Sequence, residues 1–226
     1  RTRAIGPPPN NARQLLTLDG QQPSARADAR GAALKISVIN GDLSFIRQPL
    51  LIGHYRSLRL SGTEYVVNKL VGGAMENSLK VGLYPVPPGT HQVFVNTHAD
   101  PNNPWQPPRP RAVIVVGLGE EGKLSPTDLV HSVRQAAIAW AQQSAETSAD
   151  APALISIAAT LIGSGGAGIS VGQSAQLVAQ GVREADDRLR ESNESEARER
   201  EARGISPPAR RWPRIAGCRP RARVRP

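Results

Sequence analysis

The sequence predicts an α/β domain with a mixed, mostly buried sheet and helices on both of its faces. Three observations carry this. Apolar strand-like runs alternate with helix-like segments from residue 33 to about 190, an alternation that lays helices against a sheet. Ala112-Val113-Ile114-Val115-Val116 is apolar throughout, as in a strand covered on both faces. Ser125-Pro126-Thr127-Asp128 then combines an N-cap serine, a first-position proline and an acid in the first turn.

In chain order, residues 1–30 are too poor in apolar residues to offset the entropy of ordering and read as a disordered segment. Leu34, Ile36 and Val38 alternate with polar residues, which predicts a half-buried strand over 33–39, ended by a turn at Asn40-Gly41-Asp42. Leu50, Leu51 and Ile52 predict a central strand over 49–55. Residues 62–70 and 74–81 read as helices separated by Gly72-Gly73. A strand follows over 91–96, with Val93 and Val95 on one face. Residues 97–111 form a proline-rich surface insertion that contains Trp105, before the apolar strand over 111–118. Leu129, Val133, Ala136, Ala137 and Trp140 continue a helix from Ser125 to about 143. Leu154, Ile155, Ile157, Leu161 and Ile162 read as one buried strand.

After that strand comes Gly163-Ser164-Gly165-Gly166-Ala167-Gly168-Ile169. Ser170, with Gln173 three residues on, has the spacing of a capping box and opens a helix that turns Leu177, Val178 and Val182 inward. Such a loop places backbone N–H groups and a helix N-terminus around one small volume, which suits a phosphate. A tight turn for close strand–helix packing uses the same residues, and both readings stay open here. From about 186 the pattern loses its apolar stripe. Residues 191–201 read as a solvated helical rod or as disordered, and 203–226 as disordered. The domain plan is thus 1–30, 31–190 and a charged tail over 191–226.

The formal net charge is +9. Residues 203–226 hold eight arginines and no acid, which leaves 20 Lys+Arg against 19 Asp+Glu in residues 1–202. The basic signal therefore belongs to the tail, which makes non-specific nucleic-acid binding by counterion release one alternative function. No apolar run is long enough to span a membrane, and no secretory segment stands near the start. The lone Cys218 cannot form an internal disulfide, which points to a reducing, cytoplasmic setting. The first residue is Arg1 rather than Met, so a piece of a longer chain is expected.

Two stretches fit G-x-G-x-x-G, Gly117 to Gly122 and Gly163 to Gly168. Neither reads as a dinucleotide fingerprint. Glu120 and Glu121 occupy the pyrophosphate position of the first, and no later strand presents an acid to a ribose after the second. The four histidines lack metal-site spacing. Ser164 lacks a nucleophile-elbow frame, and Cys218 lacks a catalytic one. No catalytic residue, metal ligand or cofactor is assigned, and the chain is expected not to be an enzyme.

Ile36-Ser37-Val38-Ile39, Gly41-Asp42-Leu43, Leu70-Val71-Gly72-Gly73, Gly82-Leu83-Tyr84-Pro85, Val115-Val116-Gly117-Leu118-Gly119 and Leu124-Ser125-Pro126-Thr127-Asp128-Leu129 occur in that order. This order resembles the N-terminal domain of cytosolic leucyl aminopeptidases, a macro-like α/β fold. Residues 49–57 and 82–96 also look like a region of bacterial proteins bearing a caspase-like CHAT peptidase domain. No block here matches the aminopeptidase's Lys, Asp and Glu metal ligands or a CHAT His/Cys pair. The resemblance therefore implies a non-catalytic accessory or recognition module of a larger bacterial protein, with a protein partner or an attached peptidase domain. Macro domains proper bind ADP-ribose with a glycine loop that precedes a helix. On that likeness, a phosphate ligand such as ADP-ribose or a nucleotide would contact Gly163, Ser164, Gly165, Gly166, Ala167, Gly168 and Ile169. Gly72 and Gly73 would echo the family's other glycine stretch, with Asn68 as the nearby candidate for a ribose-contacting amide.

Overall fold

A computed structural model describes residues 34–98, 103, 105–147, 154–165, 168–205 and 212–215. The backbone of this unit is a four-stranded sheet. Strand β1 (Leu50–Tyr55) lies between β3 (Ala112–Gly119) and the short β5 (Ala158–Ala159), parallel to both. Strand β2 (His91–Val95) pairs antiparallel with the other side of β3. Helices α1 (Gly62–Leu70) and α2 (Ala74–Lys80) cover one face, and α3 (Pro126–Thr147) and α4 (Val171–Ala202) the other. The expected class is what is seen: α/β, a mixed sheet, helices on both faces.

Side-chain alternation explains the continuous apolar runs. Leu50, Ile52, Val113 and Val115 point toward Val67 and Met75 of α1 and α2. Leu51, Ile114, Val116 and Leu118 point toward Leu129, Val133 and Val178 of α3 and α4. Each fully buried side chain of this kind contributes about 1.5–3 kcal/mol by leaving water. Helices α3 and α4 pack closely where α4 carries Gly181, since a Cβ there would sit 2.8 Å from the Val130 carbonyl oxygen.

Three expectations are corrected. Residues 34–39 form no strand: Val38 is 96% exposed, and the segment pairs with no sheet edge among the described residues. Only Leu34 packs inward, against a small cluster containing Ile155, Leu189 and Ile215. The turn after it does form, with Asp42 capping a single 3-10 turn (Leu43–Phe45) by accepting from the Ser44 N–H at 2.8 Å. On β2, Val93 and Val95 share one face as the alternation requires, with Phe94 on the other, and Val95 is exposed at the strand's end.

The apolar run over 154–162 is divided between two sheets. Strand β4 (Leu154–Ile155) pairs with β6 (Arg214–Ile215), while β5 joins the main sheet beside β1. The charged stretch over 191–201 belongs to α4, held by pairs four residues apart, Glu194–Arg198 and Glu199–Arg203 among them.

The tail is also ordered where β6 docks. Arg214 donates from Nε and Nη2 to the two carboxylate oxygens of Asp186, at 2.8 and 2.6 Å. The Ile215 N–H donates to Asp186 as well, at 2.9 Å. Asn193 brackets the Trp212 backbone, accepting from its N–H and donating to its carbonyl. A disordered reading of all of 203–226 overlooked that two polar residues of α4 wait for this segment. Residues 1–33, 206–211 and 216–226, and with them Cys218, lie outside the described residues.

Candidate functional site

Because β1, β3 and β5 are parallel, their C-terminal ends share one edge of the sheet, the usual place for a ligand in an open α/β fold. The 163–169 loop stands there. Both of its ends are anchored: Ile162 (2% exposed) and Ile169 (8%) enter the cluster with Leu118 and Leu129. The Ile162 carbonyl accepts from the fully buried Ser174 hydroxyl at 2.7 Å. The Gly163 carbonyl accepts from the Tyr55 hydroxyl at 3.3 Å. Gly163 has φ +83°, and a Cβ there would approach Leu124 to 3.0 Å, so close packing and backbone shape both call for glycine.

Between the anchors the chain opens outward. Ser164 is half-buried and spends its hydroxyl on the Leu161 carbonyl at 2.7 Å. Gly165 and Gly168 are exposed. A Cβ at Gly165 would meet nothing within 4 Å, and Gly168 has φ +117°. Gly166 and Ala167 lie outside the described residues.

The capping box is present in full. Ser170 Oγ accepts from the Gln173 N–H at 3.3 Å, and Gln173 Oε1 accepts from the Ser170 N–H at 3.1 Å. The box therefore occupies two of the donors at this helix start. No hydrogen bond among the described residues takes the N–H groups of Val171 and Gly172, or those of Gly165 and Gly168. These four lie at or before the N-terminal, positive end of a 32-residue helix.

Acids also stand at this edge. Burial, with the charge of Glu121, pushes the Tyr55 phenol above its ordinary range, so Glu121 lies near the hydroxyl that holds Gly163. Glu120 is partnered by Lys123 and, at 3.4 Å, by Arg56. No acid lies close in sequence to the loop, yet the turn after β3 brings Glu121 near the Tyr55 hydroxyl that holds it. That turn is a plain βα connection. A Cβ at Gly117 would lie 2.3 Å from the Pro87 carbonyl oxygen, and Gly119 has φ +75°.

Gly72 and Gly73 are not part of this edge. They close α1 and open α2 on the other face of the sheet. The nearest atom to a Cβ on Gly72 would be His98 Nδ1, beyond the end of the antiparallel β2 and thus level with the start of β3. Asn68 is buried, and its Oδ1 accepts from the Glu76 N–H at 3.1 Å, bracing the α1–α2 junction. The structure thus keeps the two glycine stretches apart and commits Asn68 to packing.

One buried polar group was not legible as a unit. His54 Nδ1 lies 2.9 Å from Glu64 Oε1, which also accepts from the Tyr84 hydroxyl at 3.0 Å. The His54 and Tyr84 rings meet edge to face. Burial first, then Glu64, drives the Tyr84 phenol far above its ordinary range and keeps it a donor. Among the described residues no group of three or more His, Cys, Asp or Glu could hold a metal, and no helix is long and apolar enough to cross a membrane.

No family model and no curated protein matches the chain. Among solved structures it is similar to the macrodomain of Mycobacterium tuberculosis DarG, at 15% identity with a TM-score of 0.49 over 67% of this chain and 92% of that one. It is also similar to the macrodomain of Thermus aquaticus DarG, at 14% identity with a TM-score of 0.40 over 67% of this chain and 91% of that one. Both are macrodomains rather than leucyl aminopeptidases or CHAT proteins.

Proposed function

We propose that this domain is a non-catalytic binding module for a small phosphate-bearing ligand, ADP-ribose or a nucleotide, held at the 163–169 loop and the start of α4. One observation carries the reading. An exposed glycine backbone, pinned at both ends by buried isoleucines, faces outward at the C-terminal edge of the sheet beside the N–H groups of Val171 and Gly172. Donors held in place by a packed scaffold bind an anion without first being ordered. ADP-ribose is the preferred member because the glycine loop followed by a helix is the part of the chain that resembles macro domains. Of the tail's arginines among the described residues, Arg203 and Arg214 are already paired with Glu199 and Asp186.

Calorimetric titration of ADP-ribose and ATP into the wild type and Gly165→Glu tests this. Gly165 has room for a side chain, so the substitution adds a carboxylate to the loop without a clash. Saturable binding by the wild type, lost in the variant, is expected. No heat at millimolar ligand, or equal binding by the variant, would refute it.

A further inference from the structure

A cleft of about 500 Å³ opens at the opposite edge of the sheet, where β1 and β3 begin. We propose that it is a second binding site, independent of the loop reading, for a small planar molecule bearing one phosphate, the class of a nucleoside monophosphate. Its volume lies within the range of small-molecule sites.

Its charge comes from Arg47 and Arg111. Carrying the β1–β3 register, Leu50 against Val113, back by two residues sets Arg111 level with Gln48 and next to Arg47. Both arginines are exposed, and among the described residues neither forms an ion pair and no acid lines the cleft. Two guanidinium groups at one mouth match the geometry of a phosphate better than two ammonium groups would.

The remaining lining gives the ligand its other half. Trp140 is half-buried, supplying a flat apolar wall, with Leu154 and Ile155 beside it. Ser144 Oγ is buried yet has no hydrogen-bond partner, while Gln143 and Thr147 stand on the same helix wall. An unsatisfied buried hydroxyl is uncommon in a folded protein, and this one lies in the helix wall that borders the cleft.

Calorimetry with AMP, adenosine and inorganic phosphate tests the site on the full chain. Wild type should bind AMP saturably and more tightly than either fragment. Arg47→Gln/Arg111→Gln should weaken AMP by about tenfold or more, since charge-assisted bonds to the phosphate are lost. Because both arginines are exposed, the variant should keep the wild-type circular dichroism and Tm. Trp140→Leu should weaken adenosine and AMP but not phosphate. With Gly165→Glu as the background, so that the loop takes no nucleotide, AMP should still bind at this cleft and the two arginine substitutions should still weaken it by about tenfold or more. No saturable AMP binding at millimolar concentration, or binding lost in Gly165→Glu and kept in the arginine variant, would overturn the proposal.

Discussion

Replacing Asp186 with alanine should release the C-terminal strand. Asp186 is 5% exposed and accepts three hydrogen bonds, two from the Arg214 guanidinium and one from the Ile215 N–H. Alanine removes two hydrogen bonds from the Arg214 guanidinium, whose side chain is only 16% exposed, and takes the acceptor from the buried Ile215 N–H. If the segment stayed docked, breaking such a pair would cost about 3–5 kcal/mol. Undocking caps the loss. It hydrates Arg214 but exposes Ile215, whose burial is worth about 1.5–3 kcal/mol, while returning backbone entropy to the freed segment. The expected destabilisation is therefore about 2–4 kcal/mol. Urea unfolding gives the global value, and amide exchange at Ile215 and at its β4 partner Ile155 should accelerate. Asp186→Asn, which keeps one acceptor oxygen, should fall between. A change within about 0.5 kcal/mol, the range of ordinary surface substitutions, or unaltered exchange at Ile215 would refute the docking account.

Three further outcomes follow from the packing and charge. Gly181→Val should cost about 1–3 kcal/mol in urea unfolding, because a Cβ 2.8 Å from the Val130 carbonyl oxygen forces α3 and α4 apart. Ser170→Ala should cost about 1 kcal/mol, since it removes the acceptor for the Gln173 N–H. Burial holds the His91 imidazole below its ordinary 6.5. The unfolded chain then binds that proton more readily, so His91 lowers stability as pH falls through 6.5. Replacing His91 with glutamine should flatten the acid side of a Tm-against-pH profile, and an unchanged profile would contradict this.

Elements whose signals are local were legible in the sequence. β1 and β3 announced themselves by continuous apolar runs because both their faces are covered. The Ser170–Gln173 box was readable because its two partners are three residues apart. Alternation over 34–39 misled because a period of two says nothing about whether a partner strand exists. The run over 154–162 misled because two strands of two residues cannot be told from one longer strand by apolar content. Long-range pairing was out of reach: Asp186 and Arg214 are 28 residues apart, and Glu64 meets both His54 and Tyr84. A signal for the former existed. Val178, Val182, Asp186, Leu189 and Asn193 follow one face of α4, so two polar residues interrupt an apolar stripe. The site was half legible. The loop was visible, but its distance from Gly72-Gly73 and its nearness to Glu121 depend on how the sheet folds.

The phosphate ligand proposed above would sit at the C-terminal edge of the sheet, on the backbone of the 163–169 loop. Amide chemical-shift mapping during an ADP-ribose titration tests it most directly. Saturable shifts are expected on Gly163, Gly165, Gly168, Val171 and Gly172, with the Tyr55 amide following and Gly72 and Gly73 unmoved. Shifts confined to the α1–α2 junction or to residues around Arg47 and Arg111, or none at millimolar ADP-ribose, would contradict it.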